Sequence, residues 1–531
     1  MTLDITRALA TAQEKFAAGQ LDEASRLLND VLARHPDHSE ALEGLGYVEA
    51  KKGDYARAAD YVTRALETTS PGPDQVYWAA EVCQLAERHA EAVALFERCL
   101  AHEADHPQSL HGAALSLVKL GEYERALALF DRLLKRHPSL FQAHYNRGNL
   151  LGNMGRYDAE IAAYRQAIAL KPDFVLAHVN LGVALRDLHR FDEAMQQFKK
   201  AVTLDPNDPG ARTNRAQTNL LRGEFEHGFR EYEWRWRDGN QTLDFDVASL
   251  WTGKEPLTGK TVLVNREQGF GDTLQFVRYI GRLSDTGAHV VLRVQDALVP
   301  LLQDFPGVAQ LIGENEPIPA FDYHVPLLSL PFAFRTRGAD IPATIPYLHA
   351  DPVRRAQWDD VFDAPGATRR PRVGVVWSGS RGHLNDHNRS IALARLAPLF
   401  EADATFVSLQ KEVRDGDRDT LAQLTSLRDV SERLITFADT AALISHLDVV
   451  ISVDTSVAHL AGALGKPVWI ALPFTPDWRW QLDRSDSPWY PQARLFRQTV
   501  RGDWTNVVNE LREALDNWQP ERHGSRAARR T

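Results

Sequence analysis

The residues best placed for chemistry interrupt an apolar stretch between Asp448 and Pro473. Asp454, Thr455 and Ser456 follow a β-branched run that is typical of a buried strand. They precede apolar residues spaced as one face of a short helix, and a second apolar strand closes the stretch. This pattern predicts a helix N-terminus at the carboxyl edge of a parallel sheet, where free amides and the helix dipole favour phosphate.

We therefore predict that the phosphate of a nucleotide sugar binds the amides near Thr455, Ser456 and Val457. His459 lies one helical turn further on, where it faces either the ligand or a local hydrogen-bond partner. The alternative interpretation of the whole stretch is an ordinary βαβ unit with a well-capped helix.

A second polar loop follows the short buried strand predicted at Thr261–Asn265. Gln268, Gly269 and Gly271 form this loop, and the two glycines permit a tight turn. Asp272 begins the next helix, where its carboxylate can accept a proton from the hydroxyl of an acceptor substrate. Its alternative role is to cap that helix.

A third polar loop follows the strand predicted at 372–377. Arg389 at its far end is suited to pair bidentately with phosphate. Ser378 and Gly379 can donate backbone amides to the same ligand, and Lys411 ends a further strand near the same sheet edge. A disordered surface loop is the competing interpretation.

No metal or other cofactor is expected. An Asp-x-Asp triplet at 244–246 precedes the first strand, whereas the acids that hold a metal-bound nucleotide usually stand at a strand end. We therefore interpret this triplet as solvated surface.

The composition narrows the class of protein. A chain of 531 residues predicts two to four domains. A formal charge of −10 argues against a nucleic-acid partner. The two cysteines, Cys83 and Cys99, exclude a disulfide framework and fit a reducing compartment. Because the sequence contains neither a signal-peptide pattern nor a run of 18 apolar residues, we expect a cytoplasmic protein without a membrane span.

A 34-residue period organises the first 237 residues. Its lattice carries Gly19, Gly53, Gly121, Gly155 and Gly223, with Glu87 and His189 at the remaining points. A second phase is always small: Ala12, Gly46, Ala80, Ala114, Gly148, Gly182 and Ala216. This pattern resembles the tetratricopeptide repeat, two antiparallel helices per unit, whose stacked units form a groove for a protein segment. Oligomerisation through the same surface is the alternative.

The elements predict an α-helical solenoid followed by two α/β regions. Further strands are predicted at 289–294, 308–312, 322–327, 405–409 and 434–437. The predicted organisation begins with a repeat superhelix of about seven units at 1–237 and a connector at 238–260. An N-terminal α/β lobe on the acceptor side is predicted at 261–365 and a C-terminal lobe on the donor side at 371–500. A helix at 501–520 and a disordered basic tail at 521–531 complete the predicted chain.

Two motifs resemble those of bacterial heptosyltransferase-type enzymes. GFGDTL at 269–274 is similar to the turn that carries their proposed base, which implies that role for Asp272. The segment at 454–467 resembles their donor-phosphate motif, which implies donor binding by Asp454, Thr455, Ser456 and His459. These enzymes have a lysine in the loop after the first strand of the second domain, and Arg389 is the nearest basic candidate here.

The combination with the repeats resembles bacterial repeat-bearing glycosyltransferases, some of which modify flagellin. The resemblance implies a GT-B pair of Rossmann-like lobes and a metal-independent transfer of sugar to Ser or Thr of a protein acceptor held in the repeat groove, flagellin being one candidate. An inactive repeat scaffold and a glycosyltransferase acting on a carbohydrate or lipid-linked acceptor are the alternatives.

Overall fold

The computed structural model of the protein describes residues 5–68, 71–237, 243–362, 370–383 and 385–518. The chain divides into two compact units between Leu185 and Arg186. Parts of the predicted connector and of the segment before the second α/β region, and the whole predicted basic tail, lie outside the described residues.

The first unit consists of helices that follow the 34-residue period. Their bounds are α1 Ile5–Ala17, α2 Leu21–Leu32, α3 Ser39–Lys52, α4 Tyr55–Thr68, α5 Pro73–Leu85, α6 His89–His102, α7 Pro107–Lys119, α8 Tyr123–Arg136, α9 Phe141–Asn153 and α10 Tyr157–Leu170. Helix α11, Val175–Asp187, runs across the division. The second unit begins with α12 Phe191–Leu204, α13 Pro209–Leu221 and α14 Phe225–Tyr232.

The lattice positions are the left-handed turns that join the two helices of each repeat. All seven have a positive φ, from 58° to 86°, and Glu87 (59°) and His189 (58°) adopt it without being glycine. A glycine takes this conformation without steric penalty, whereas other residues are strained there. The left-handed turn is therefore kept even at the two positions where the residue is not glycine. The predicted helical repeats are confirmed.

The small-residue phase marks close contact between helices within the repeats. A Cβ placed on Gly46 would lie 2.4 Å from the side chain of Val62, and one on Gly148 would lie 2.6 Å from the ring of Tyr164. Ala80 and Ala114 occupy the same phase and are fully buried. Small side chains at these places let the paired helices approach, as the period predicts.

The first α/β region has a parallel sheet that contains, within the described residues, four strands in the order β3-β2-β1-β4. The strands are β1 Thr261–Asn265, β2 His289–Val294, β3 Gln310–Gly313 and β4 Tyr323–Pro326. Its helices are α15 Phe270–Phe276, α16 Ile280–Ser284, α17 Val299–Leu302 and α18 Leu330–Ala333. Central strand β1 pairs in register with both neighbours, for example Val262 with Val290 and with Tyr323.

The second α/β region has a parallel sheet with six described strands in the order β10-β9-β8-β5-β6-β7. The strands are β5 Arg372–Val376, β6 Thr405–Ser408, β7 Leu427–Arg428, β8 Val449–Val453, β9 Val468–Leu472 and β10 Ala493–Arg497. The associated helices are α19 Pro352–Ala356, α20 Asp386–Arg389, α21 Asp415–Gln423, α22 Phe437–Ser445, α23 Ser456–Ala463 and α24 Thr505–Asp516.

One strand prediction is wrong, and two strands were not predicted. The segment 434–437 is not a strand, because Phe437 starts α22 and the amide of Thr436 is capped by the Asp439 carboxylate at 2.7 Å. The short edge strand β7 lies before this segment, and β10 follows the aromatic residues near Trp489. Both unpredicted strands are edge strands, whose sequences lack the apolar runs of the central ones.

Both faces of the second sheet are buried, which explains the apolar runs in its strands. Val450 and Val468 contribute to a core shared with the first α/β region. Val449 and Ile451 face a separate core, onto which α24 packs Val507, Val508, Leu511 and Leu515. Because these strands are parallel, the carboxyl ends of β5, β8 and β9 lie at the same edge of the sheet. The loops that carry the predicted site residues of this region leave from that edge.

A buried ion-pair network joins the segment after α14 to the loop after β1. The guanidinium of Arg235, 2% exposed, donates to both carboxylate oxygens of Glu267 at 2.6 and 3.0 Å. It also donates to Glu233 at 2.7 Å and to the Ser329 hydroxyl at 2.8 Å. The end of the repeat array thereby holds the loop that leads into α15.

A second attachment within the same unit involves the lattice residue His189. Its imidazole stacks on Phe474, with ring centroids 4.1 Å apart, and its Nε2 lies 3.0 Å from the Phe474 carbonyl oxygen. The next residue, Thr475, donates its hydroxyl to the Asp187 carbonyl at 3.0 Å. The loop after β9 is thus fastened to the turn between α11 and α12.

A search of the described residues for a helix long and apolar enough to cross a membrane finds none.

We expect Arg235→Ala to lower the free energy of unfolding by about 3–5 kcal/mol, because it leaves the buried Glu267 carboxylate without its partner. Urea denaturation followed by tryptophan fluorescence measures the change. Arg418→Ala is the control, since Arg418 pairs with Asp415 at an exposed site and its loss should leave the midpoint unchanged. Equal midpoints for both variants would contradict the role given to the buried network.

Candidate functional site

The loop after β1 positions Asp272 at the start of α15. Gln268 takes a left-handed conformation (φ 55°), and its side chain donates to the Tyr232 hydroxyl at 3.2 Å. Gly269 is the N-cap residue of α15, and its amide donates to the Asp272 carboxylate at 2.9 Å. The predicted capping role of Asp272 is therefore present, while its proposed role as a base stays a prediction.

The loop after β8 places Thr455 at the N-cap of α23. Its side chain makes no capping hydrogen bond with the helix and instead lies 3.0 Å from the Ser452 hydroxyl. The first amides of α23, at Ser456 and Val457, thus receive no side-chain cap from the N-cap residue. Helix-start amides without a side-chain cap are suited to bind phosphate, so the geometry agrees with the phosphate site predicted here.

The starts of α15 and α23 lie against each other. A Cβ added to Gly271 would stand 2.9 Å from His459 Cδ2 and 3.5 Å from Ser456 Cα. Asp272 and Thr455, taken from different sheets, are therefore brought into one site rather than onto separate faces. Glycine is required at 271 for this approach, since a side chain there would push the two helix starts apart.

His459 faces protein rather than open space. Its Nδ1 lies 3.0 Å from the Tyr490 hydroxyl, and its ring stacks on Trp480 with centroids 5.2 Å apart. Of the two predicted alternatives, the structure shows the local hydrogen-bond partner. Burial lowers the pKa of His459 well below its ordinary value, and the charges of Arg479 and Arg278 act in the same direction. The imidazole is therefore neutral near pH 7.

Arg479 connects the two loops and was missed in the sequence. It lies in the short 3-10 segment after β9, and its guanidinium pairs with Asp272. Its Nε donates to Gln275 at 2.6 Å and one of its η nitrogens to Asp477 at 2.9 Å, while the face of the guanidinium stacks on Trp478 at 4.3 Å. The available signal was the arginine two residues after an aspartate in the segment FTPDWRW.

Two half-buried carboxyl groups lie in this site. Burial raises the pKa of Asp272 above its ordinary value even though 16% of its side chain stays exposed, and Arg479 opposes that rise. Burial also raises the pKa of Asp454 to about 6, with the negative charge of Asp477 as the second cause. A carboxylate in such surroundings is a stronger base than one in water.

Arg389 lies at the carboxyl end of β8, next to the start of α23. It donates to the Asp454 carbonyl at 2.9 Å, and its Nε is buried with no hydrogen-bond partner among the described residues. Its guanidinium rests against Gly379, where an added Cβ would lie 2.6 Å away. Arg389 is thus held beside the predicted phosphate site.

The amides of Ser378 and Gly379 are not free, and the predicted donor binding by these residues stays a prediction. The amide of Ser378 donates to the side chain of Gln410 at 3.1 Å, and that of Gly379 donates to the Ser390 hydroxyl at 3.0 Å. The Ser378 hydroxyl, by contrast, is buried without a partner in the described chain. The loop is ordered by Gln410, a buried residue at the end of the neighbouring strand.

Lys411 is exposed and donates to the Ile435 carbonyl at 2.8 Å. This bond directs its ammonium toward the segment before α22, so the structure does not bring Lys411 together with Arg389 and Asp454 through any contact it describes. Its predicted donor-binding role stays a prediction.

In the part of the chain that the structure describes, no three His, Cys, Asp or Glu side chains are grouped so that they could hold a metal ion.

Comparisons with known proteins match both parts of the chain. The model of the tetratricopeptide repeat matches residues 9–75, 111–173 and 145–209, so the chain contains these repeats. The model of glycosyltransferase family 9 (heptosyltransferase) matches residues 426–496. That segment contains β8, α23, β9 and Arg479.

A curated relative, Protein FlbA of Caulobacter vibrioides, is 24% identical over 327 residues, which are 57% of this chain and 54% of the relative. The chain therefore matches about half of that protein's length.

Two solved structures are also similar. MamA 41-end from Desulfovibrio magneticus RS-1 is 19% identical, with a TM-score of 0.30 over 32% of this chain and 96% of that one. A tetratricopeptide repeat protein from Parabacteroides merdae ATCC 43184 is 17% identical, with a TM-score of 0.38 over 45% of this chain and 94% of that one.

We expect Gly271→Ala to lower the free energy of unfolding by about 1–3 kcal/mol, because the new methyl group meets both the His459 ring and the Ser456 backbone. Gly281→Ala is the matched control: it lies in α16 with nothing within 4 Å of an added Cβ, and alanine should stabilise the helix slightly. Thermal unfolding monitored by circular dichroism compares the two variants. A Gly271→Ala protein as stable as Gly281→Ala would refute the close approach.

Asp454→Asn should stabilise the protein at neutral pH. Between the ordinary pKa of 3.8 and about 6 the folded chain binds more protons than the unfolded chain, so Asp454 lowers stability as pH rises through that window. We expect a gain of about 1–3 kcal/mol near pH 7.5 that shrinks to about a third of that value near pH 4.5. Urea unfolding at both pH values tests this, with the exposed Asp419→Asn as control. A gain independent of pH would contradict the assignment.

Proposed function

We propose that this protein is a glycosyltransferase of the GT-B type that moves a sugar, without a metal ion, from a nucleotide sugar to Ser or Thr of a protein acceptor. The observation that carries the proposal is the approach of Gly271 to Ser456 and His459. It brings an aspartate of one α/β region to the helix start of the other, within the segment that matches the glycosyltransferase family 9 model.

In the proposed reaction, Asp272 removes the proton from the acceptor hydroxyl. The hydroxyl oxygen forms a bond to the anomeric carbon of the sugar while the bond from that carbon to the donor phosphate oxygen breaks. The proton stays on Asp272, and the nucleotide leaves with the electron pair. The amides of Ser456 and Val457 and the guanidinium of Arg389 stabilise the departing phosphate.

The repeats supply the proposed acceptor site. Tetratricopeptide repeats form concave surfaces that bind protein segments, which favours a protein acceptor. We propose flagellin as the specific candidate, on the resemblance to flagellin-modifying enzymes, and the cytoplasm as the place of the reaction, since Cys83 and Cys99 are both free.

Two specific observations favour other functions. Both carboxylate oxygens of Asp272 are engaged, one by Arg479 and one by the Gly269 amide, as they would be in a binding protein without catalysis. The description of the matched family as heptosyltransferase favours a carbohydrate acceptor. Comparing the intact masses of proteins from cells with and without this gene separates a protein acceptor from a carbohydrate one.

We expect Asp272→Asn to reduce sugar transfer by about 10²–10⁴-fold, because the amide cannot take the proton from the acceptor hydroxyl. Calorimetry with UDP-, CMP-, ADP- and GDP-sugars first identifies the donor, and the variant should still bind it. Asp285→Asn, an exposed aspartate after α16, is the control and should transfer sugar normally. If Asp272→Asn transfers sugar at the wild-type rate, Asp272 is not the base. If the wild-type protein binds none of these donors, the inactive scaffold is favoured.

A further inference from the structure

Arg479 is a buried cation between two carboxylates. Its side chain is 8% exposed and pairs with Asp272 and with Asp477. Asp477 also accepts the backbone amide of Arg479 at 3.0 Å, and Gln275 accepts its Nε. Arg479 therefore keeps two partners that hold its guanidinium in place even when the third, Asp272, is lost.

The guanidinium has donor capacity left. Among the described residues, Asp272, Asp477 and Gln275 account for three of its five N–H groups. The stacking on Trp478 occupies a face of the guanidinium plane but none of its hydrogens. The two remaining N–H groups suit an oxyanion that presents two oxygens, as phosphate does.

The position of Arg479 in the fold matches that of the predicted phosphate site. It lies in the loop after β9, and β9 pairs in parallel with β8, so this loop and the start of α23 leave the same sheet edge. The next residue, Trp480, stacks on His459 of α23. Arg389 donates to the Asp454 carbonyl at 2.9 Å, and the positive charges of Arg389 and Arg479 both lower the pKa of the Asp454 carboxyl.

We propose that Arg479 binds the phosphate of the donor and shares its guanidinium between that phosphate and Asp272, so that arrival of the donor makes Asp272 a stronger base. This proposal rests on the proposed function and adds to it the coupling between donor binding and the base. A diphosphate carries more negative charge than one carboxylate, so it competes effectively for the guanidinium.

The consequence for Asp272 follows from charge. Arg479 now holds the pKa of Asp272 below the value that burial alone would give. When a phosphate neutralises the guanidinium, that pKa rises, so the protein takes up a proton in the window between the two values, and above this window Asp272 stays ionised and is the stronger base. Donor binding and proton uptake are therefore linked.

Other charged groups face Asp272 and define the controls. Asp477 lies on the same loop as Arg479, Glu267 precedes α15, His383 belongs to the loop after β5, and His459 packs against Gly271 from α23. Because phosphate also changes the protonation of these groups, only the difference between the wild-type protein and Asp272→Asn measures the uptake by Asp272.

Calorimetry in two buffers of different ionisation enthalpy tests the proposal, using UDP, CMP, ADP, GDP and inorganic pyrophosphate as probes from about pH 5 to pH 8. We expect Arg479→Gln to weaken binding about 10–100-fold. We expect Asp272→Asn to bind with measurably less proton uptake than wild type. Arg484→Gln is the matched control, since this arginine of the same loop pairs with Asp486 and should bind like wild type.

Arg479→Lys provides a second variant in case Arg479→Gln does not fold, because it keeps the charge but loses the planar fork. We expect it to bind several-fold more weakly than wild type and with reduced proton uptake. Wild-type affinity in Arg479→Lys together with unchanged proton uptake in Asp272→Asn would overturn the proposal.

The outcomes separate this proposal from the proposed function. If the Arg479 variants bind nucleotides as tightly as the wild-type protein and the protein transfers sugar, the shared guanidinium is rejected and the proposed glycosyltransferase function is retained. Binding that depends on Arg479 and takes up a proton at Asp272 supports the proposal even where no acceptor is yet known. No binding of any probe to the wild-type protein rejects both.

Discussion

The contact between the starts of α15 and α23 is the constraint on which the rest of the site depends. Each helix begins where a central parallel strand ends, so each presents its first turn at the carboxyl edge of its own sheet. The two edges can share one site only if nothing stands between the helix starts. Gly271 meets that condition, because its missing side chain leaves room for His459 and for the backbone at Ser456. Everything attributed to Asp272 requires this approach.

The site balances buried charges instead of avoiding them. Asp272 and Asp477 share Arg479, and Arg389 donates to the Asp454 carbonyl while its Nε lies 3.7 Å from the Asp386 carboxylate. Burying such groups is unfavourable unless each finds an opposite charge, and an excess on either side is tolerated mainly at functional sites. A phosphate brought to this edge meets guanidinium groups already oriented by carboxylates and carbonyls, so binding requires little reorganisation.

Local sequence patterns were enough to predict the helical repeats and most of the strands. They predicted less of the site, because its side chains pair with residues that are far away in the sequence. The 34-residue period predicted the turns, and even Glu87 obeys it. Parallel strands deliver their loops to one edge of their own sheet, which was enough to expect both Asp272 and the α23 start at such an edge. Arg479 was missed because its partner lies about 200 residues away, on another sheet. The bond from the Ser378 amide to Gln410, a residue from a neighbouring strand, was likewise not foreseen. A single sequence shows neither pairing.

The left-handed turn at His189 has a mechanical consequence. Glycine would relieve the strain of that turn, but it would also remove the imidazole that stacks on Phe474 and lies against its carbonyl. Phe474 starts the loop that carries Arg479, five residues further on. The His189 contacts and the hydrogen bond from Thr475 to Asp187 therefore couple the turn before α12 to the loop that holds the guanidinium beside Asp272.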